Sequence, residues 1–166
     1  MCIRDSLYCY PEEITDELIQ VIKEEPKICH YLDLPIQHAS DRILKRMGRR
    51  TTQAELVEIV NKLRREIPDI VLRTTLISGF PGETQEDHEE LMGFVDEMEF
   101  DRLGVFTYSP EEDTPAATMP DQVAEEVKEA RRDEIMELQQ EISYDRGQDR
   151  IGPVSYTHLR AHETLA

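Results

Sequence analysis

The sequence is short of cysteine, of positive charge and of long apolar runs, and each shortage removes a class of protein. Its three cysteines, Cys2, Cys9 and Cys29, are odd in number and widely spaced. Neither a disulfide framework nor a zinc knuckle can be read from them. No apolar stretch is long enough to span a membrane, and no signal-peptide pattern precedes the body of the chain. The expected compartment is therefore the cytoplasm. Lysine and arginine number 19 against 36 acidic residues, a net charge of −17. Such a surface repels phosphate backbones and favours basic partners, although acidic helix faces that only keep a protein soluble give the same balance. His30, His38 and His88 fall in separate elements with no cysteine at ligand spacing, and His88 reads as an exposed helix residue. No Ser-His-Asp arrangement can be assembled from the chain.

What is present is one domain's worth of 166 residues. Residues 1–6 and 153–166 share no periodicity with their neighbours and resemble translated adapter sequence. They are set aside from the fold, natural tails being the alternative. Residues 7–152 then read as a single unit. Thr15 can cap a helix carrying Leu18, Val21 and Ile22. Tyr31–Gln37 is strand-like, and a short helix with Ile43, Leu44 and Met47 stops near Gly48. Thr52 and Glu55 form a capping box for a helix bearing Leu56, Val60, Leu63 and Ile67. Ile70–Ile77 is the clearest strand, followed by the turn Gly79-Phe80-Pro81-Gly82 and a helix capped by Thr84. Arg102–Tyr108 is a third strand. A proline-containing loop leads to a last helix, about 122–145, with the stripe Val123, Val127, Ala130, Ile135, Leu138 and Ile142.

Alternating strands and helices without a hairpin signal predict an α/β fold with a parallel sheet. A closed barrel needs about eight strands, so three leave open edges and point to a partial (β/α) barrel that ends in a long helix. A small open sheet is the alternative.

Strands of parallel sheets are normally buried on both faces and apolar throughout. Here Asp33 and Gln37 alternate with Leu32, Leu34 and Ile36, while Arg73 and Thr75 alternate with Leu72 and Leu76. One face should pack on helices and the other should carry polar groups. A charge in mid-strand needs a partner, so Arg73 should meet either Asp33 or a bound anionic group. The turn from Ser78 to Thr84 lies at the carboxyl end of a strand, where α/β sheets hold ligands. Its glycines permit close approach of a ligand, and a helix start offers free N–H groups, though the same features make an ordinary turn. His38 and the pair Tyr108-Ser109 end two other strands at that edge. His38 could contact a ligand or simply bond to its neighbours.

The stretches Leu34-Pro35-Ile36-Gln37-His38-Ala39-Ser40-Asp41, Leu44-Lys45-Arg46-Met47-Gly48-Arg49-Arg50, Leu72-Arg73-Thr74-Thr75 running into Gly79-Phe80-Pro81-Gly82-Glu83-Thr84, and Phe100–Ser109 occur in that order. Together they resemble the radical S-adenosylmethionine methylthiotransferases, and among them the RimO family, over residues 7 to about 152. The resemblance implies a TIM-like radical SAM barrel in a cytoplasmic transferase. Such an enzyme carries one [4Fe–4S] cluster in an N-terminal domain and a second on a Cys-x-x-x-Cys-x-x-Cys loop of the barrel. It reduces S-adenosylmethionine to a radical that removes hydrogen from an unactivated carbon, after which sulfur is inserted and methylated. The implied partner is a basic small-subunit ribosomal protein, modified on an aspartate.

The cluster loop, the N-terminal domain and most or all of the family's small C-terminal β domain have no counterpart in this sequence. The chain is therefore expected to be the second half of the barrel with its exit helix, and inactive by itself. By resemblance Gln37, Arg73, Ile77, Gly79 and Tyr108 lie where such barrels contact the methionine, ribose and adenine parts of the cofactor, with His38 and Thr75 beside them. The family pattern Gly-x-Ile-x-Gly-x-x-Glu is altered: Thr75 replaces the first glycine, and Glu83 is displaced by one residue. Two other readings stand beside this one. The sister enzymes that methylthiolate an adenosine of tRNA (MiaB-like) carry Gln-Ser-Gly-Ser where this chain has Gln37-His38-Ala39-Ser40, and they lack the arginine at 73. A non-catalytic acidic module would bind a partner through the last helix.

Overall fold

A computed structural model describes residues 4–6 and 8–149. Four strands, β1 (Arg4–Ser6), β2 (Ile28–Asp33), β3 (Val71–Ser78) and β4 (Arg102–Thr107), form one sheet in chain order, each pair of neighbours parallel. The sequence predicts three of them. The fourth, β1, lies in the segment set aside as foreign, and it pairs Arg4 with Ile28 and Ser6 with Leu32. A strand three residues long shows too little alternation to be recognised by pattern.

Among the described residues, five α-helices connect and cover the strands: α1 (Asp16–Glu24), α2 (Asp41–Arg46), α3 (Gln53–Glu66), α4 (Gln85–Met98) and α5 (Glu125–Asp149). Their starts follow the capping residues. The hydroxyl oxygen of Thr15 accepts the Leu18 N–H at 3.2 Å. Thr52 with Glu55, and Thr84 with Asp87, form reciprocal capping boxes. The second box uses Asp87 as the residue that reaches back.

One sheet face and the helices form the core. Leu32, Leu72, Leu76, Leu103 and Val105 from the strands are buried with Ile19 and Ile22 of α1, Leu56, Val60 and Leu63 of α3, and Leu91, Phe94 and Val95 of α4. Each such side chain contributes about 1.5–3 kcal/mol by leaving water. Asp101 fixes the start of β3 by accepting the Leu72 N–H at 2.9 Å. The opposite face is left largely open by the described residues. Along β3 the side chains of Leu72, Thr74, Leu76 and Ser78 are buried, whereas Val71, Thr75 and Ile77 are half-buried and Arg73 is exposed. Register continues that bare face into β4, with Arg102 beside Arg73, Gly104 beside Thr75, and Phe106 beside Ile77. Phe106 is 65% exposed there.

Three expectations change. The strand expected over Tyr31–Gln37 breaks after Asp33. Pro35 cannot donate to a ladder, and Gln37 turns to a positive φ of 73° before bridging Leu76. His88 is not at the surface: it is buried, with Nε2 2.7 Å from Oε2 of Glu134 on α5. On α5 the buried stripe is Lys128, Arg131, Ile135, Gln139 and Ile142, while Val127 and Ala130 face solvent. The helix turns its polar residues inward because their partners lie there: the Tyr108 carbonyl for Lys128, the Glu83 carboxylate for Arg131 and the Phe100 carbonyl for Gln139.

Candidate functional site

Three loops meet at the carboxyl edge of the sheet, and hydrogen bonds tie them into one surface. After β2, the N–H of Gln37 donates to Thr75 O at 3.0 Å, and its carbonyl accepts the Ile77 N–H at 2.8 Å. After β4, the N–H of Tyr108 donates to Ser78 O at 2.8 Å. The Tyr108 ring meets Phe80 edge-on at 5.3 Å between centroids. Those rings form a small apolar cluster with Ile43, against which Ile77, Met47 and Met119 pack. The buried Tyr108 hydroxyl has no hydrogen-bond partner among the described residues.

His38 is fully buried and belongs to the loop's framework. Its Nδ1 accepts the Ser40 N–H at 2.9 Å, so in the neutral ring the proton sits on Nε2. That nitrogen faces Oε2 of Glu83 at 3.5 Å. Glu83 is the hub of the edge. Oε2 accepts the N–H of Gly79 at 2.8 Å and of Phe80 at 3.3 Å, and Oε1 accepts from Arg131 at 2.9 Å. Burial pushes the Glu83 carboxyl upward, but His38, the Gly79 N–H and Arg131 outweigh it and hold it below the usual range.

These bonds decide between the two readings of the turn in favour of ordinary structure. The N–H groups of the Ser78–Thr84 turn are not free for an anion. Glu83 takes those of Gly79 and Phe80, Asp121 O takes that of Gly82, and Asp87 takes that of Thr84. Asp87 also accepts from Ser40 and forms an ion pair with Arg42. Burial works against its charged form. Arg42, the Thr84 N–H and Ser40 still hold the carboxyl far below its ordinary value.

Arg73 meets Asp33 only loosely, Nη1 to Oδ2 at 4.0 Å, and its side chain is 44% exposed. Asp33 is buried, and its Oδ1 has no hydrogen-bond partner among the described residues. The ion-pair reading is therefore present in weak form, with room for a further group on the bare face. Thr75 and Ile77 project from that same face. Arg73 lies about 13 Å below Ile77 at the usual rise per strand residue, so these candidates make a track along the sheet and not a cluster. An open groove of about 870 Å³ flanks the track, between Tyr31, Arg73, Arg102 and Gly104 of the sheet and Asp133 and Gln140 of α5.

The chain matches the family model of the radical SAM superfamily over residues 3–95. The chain belongs to the radical SAM superfamily. Among curated proteins, this radical SAM chain is 68% identical over 145 residues to the ribosomal protein uS12 methylthiotransferase RimO of Lachnoclostridium phytofermentans, covering 87% of the chain and 33% of that protein. It is 63% identical over 140 residues to the protein of the same name from Geobacter sulfurreducens, covering 84% and 31%. The chain thus spans about a third of the length of these relatives. Solved structures share its fold, and two of them serve as examples. They are coproporphyrinogen III oxidase (HemN) from Escherichia coli, TM-score 0.68, 21% identity, 82% of this chain and 32% of that one, and TsrM from Kitasatospora setae, TM-score 0.55, 19% identity, 68% and 22%. The partial barrel expected from the sequence is thereby the fold of a known radical enzyme family.

The residues present fit the two groups that this superfamily uses unequally. The apolar wall of Ile77, Phe80 and Tyr108, with an unpartnered hydroxyl, suits an amphipathic ligand such as S-adenosylmethionine. They do not suit an iron–sulfur cluster. Cys9 lies in the loop after β1 and Cys29 in β2, and no group of three His, Cys, Asp or Glu among the described residues could hold a metal. No helix of the described residues is long and apolar enough to cross a membrane.

Sequence reasoning missed Lys128 and Arg131, which lie outside the apolar stripe read for the last helix. Their spacing with Ile135, Gln139 and Ile142 at three or four residues was the available signal.

Proposed function

We propose that the chain is the S-adenosylmethionine-facing part of a methylthiotransferase barrel, and that the whole protein methylthiolates the β-carbon of an aspartate in a small-subunit ribosomal protein. The observation that carries this reading is the convergence of the β2, β3 and β4 ends on one apolar, internally bonded edge in a chain 56–68% identical to three proteins named RimO. Gln37, Ile77, Gly79 and Tyr108 would hold the adenosine part, Arg73 and Thr75 the more polar end, and His38 would hold the loop that carries Gln37. The [4Fe–4S] clusters would be bound by parts of the whole protein outside this sequence. When bound beside such a cluster, S-adenosylmethionine supplies the radical that removes hydrogen from the substrate carbon. This chain's residues bind and orient it, and the apolar wall at Phe80 and Tyr108 shields the reaction. An acidic chain of net charge −17 suits a basic protein substrate better than tRNA. The cytoplasm is the compartment this reading requires.

The test is to incubate the full-length protein, with clusters reconstituted, with S-adenosylmethionine, a reductant, a sulfur source and the ribosomal protein. Mass spectrometry should locate one methylthio group in place of a hydrogen on an aspartate. Modification of tRNA adenosine with the ribosomal protein untouched would transfer the assignment to the tRNA enzymes. Binding of the ribosomal protein without modification would support the acidic-module reading. The isolated 166-residue chain, with only three cysteines at unsuitable spacing, should remain colourless after iron–sulfur reconstitution, and a stoichiometric cluster band would contradict this account of it.

A further inference from the structure

We propose that Arg131 and Lys128 of α5 are positioning residues for the cofactor edge: without touching the ligand, they set the geometry of the β3 and β4 ends. This rests on the reading that S-adenosylmethionine binds at those ends. Their two cations sit one turn apart and are both buried, Lys128 at 5% and Arg131 at 7% exposure. Such residues stay buried only with partners. Arg131 Nη1 bonds Glu83 Oε1 at 2.9 Å and reaches Glu83 O at 3.3 Å. Glu83 in turn holds the N–H groups of Gly79 and Phe80. Removing the cation leaves a fully buried carboxylate facing only His38 and two amides, so the carboxylate must move or take a proton, and the turn must move with it.

Lys128 acts on the same turn from above and on β4 from the side. Its Nζ donates to Tyr108 O at 2.9 Å and lies 5.5 Å from the centre of that ring. Its carbonyl accepts the Ser78 hydroxyl at 2.9 Å. Its alkyl stem covers Gly79 so closely that a Cβ there would be 2.2 Å from the Lys128 Cγ. Gly79 also has φ +73°, so only glycine meets both conditions. The long helix, read from sequence as the exit from the barrel, is thus a wall of the cofactor edge. Its first two turns fix where Gly79, Phe80 and Tyr108 stand.

The experiment uses the full-length, cluster-reconstituted protein and measures S-adenosylmethionine binding by calorimetry and melting by circular dichroism. Arg131→Met should weaken binding by roughly 10- to 100-fold, the scale of a small misplacement transmitted to a site. Arg131→Lys, which keeps the cation, should recover most of it and also guards against a poorly folding methionine variant. Glu83→Gln should weaken binding in the same direction. Val60→Ala, a core truncation on α3 away from the edge, supplies the contrast: it should lower the melting temperature and leave the dissociation constant unchanged. Wild-type affinity in both Arg131→Met and Glu83→Gln would overturn the inference. So would an affinity loss in Val60→Ala that matches theirs at equal loss of melting temperature. If the wild-type protein itself fails to bind S-adenosylmethionine, the cofactor reading falls first and this inference with it.

Discussion

The two faces of the sheet use one strand for opposite purposes. In β3, Leu72, Thr74 and Leu76 are fully buried against the helices, while Arg73, Thr75 and Ile77 between them look onto a face that the described helices leave open beside the α5 groove. The covered face follows the ordinary rule that apolar area leaves water. The bare face breaks it with a cation, a hydroxyl and, one strand over, an exposed Phe106. Packing alone does not call for Arg73 above a buried Asp33 at 4.0 Å. A strand that stabilises with alternate residues and leaves the others open has those others to spare for a ligand.

The contrast can be broken most easily where it is largest. Leu72→Ala or Leu76→Ala, each removing a side chain with no exposure, should cost about 2–5 kcal/mol in urea unfolding. Thr75→Ala on the other face should stay within about 0.5 kcal/mol in the same measurement. Equal losses would mean that both faces are core.

A middle effect is expected at the capping carboxylate. Asp87→Asn removes the charge that pairs with Arg42 and one of the two oxygens that accept from Arg42, Ser40 and the Thr84 N–H, and should cost about 1–3 kcal/mol. The pH dependence has a definite sign. The folded protein holds the Asp87 and Glu83 carboxyls below their unfolded values. Their stabilisation is therefore complete above the unfolded carboxylate pKa of about 4 and is lost as pH falls through the lower folded values. Urea midpoints should drop below about pH 4 in the wild type and drop less in Asp87→Asn. Equal acid sensitivity in the two proteins would show that the carboxylate is not held as described.

The sequence is legible where one residue type decides one feature. Thr15, Thr52 and Thr84 announce the starts of α1, α3 and α4 through side-chain capping that needs only local chain. The alternation in Ile70–Ile77 announces both the strand and its two faces. Features that depend on distant partners stay hidden. Lys128 and Arg131 stand outside the apolar stripe of the last helix, and their burial follows only when Glu83 and the Tyr108 carbonyl are placed beside them. The buried His88 depends in the same way on Glu134, 46 positions along the chain. The turn after β3 looks able to receive an anion only while the positions of Glu83 and Asp87 are unknown. Gln37 is the intermediate case. Pro35 foretells a break in the strand, but the return of Gln37 to bridge Leu76 is a tertiary event. The likeness to methylthiotransferases, borne out by the comparisons, came from whole stretches of sequence and not from any one of these features.

The central claim is that the bare face and the three strand ends together receive S-adenosylmethionine. Hydrogen–deuterium exchange on the full-length, cluster-reconstituted protein, with and without S-adenosylmethionine, tests it most directly. The account predicts added protection at Gln37–His38, Ile77–Phe80 and Tyr108, with exchange in α1 and α3 unchanged. Protection confined to the helices of the covered face, or spread evenly over the whole chain, would contradict it.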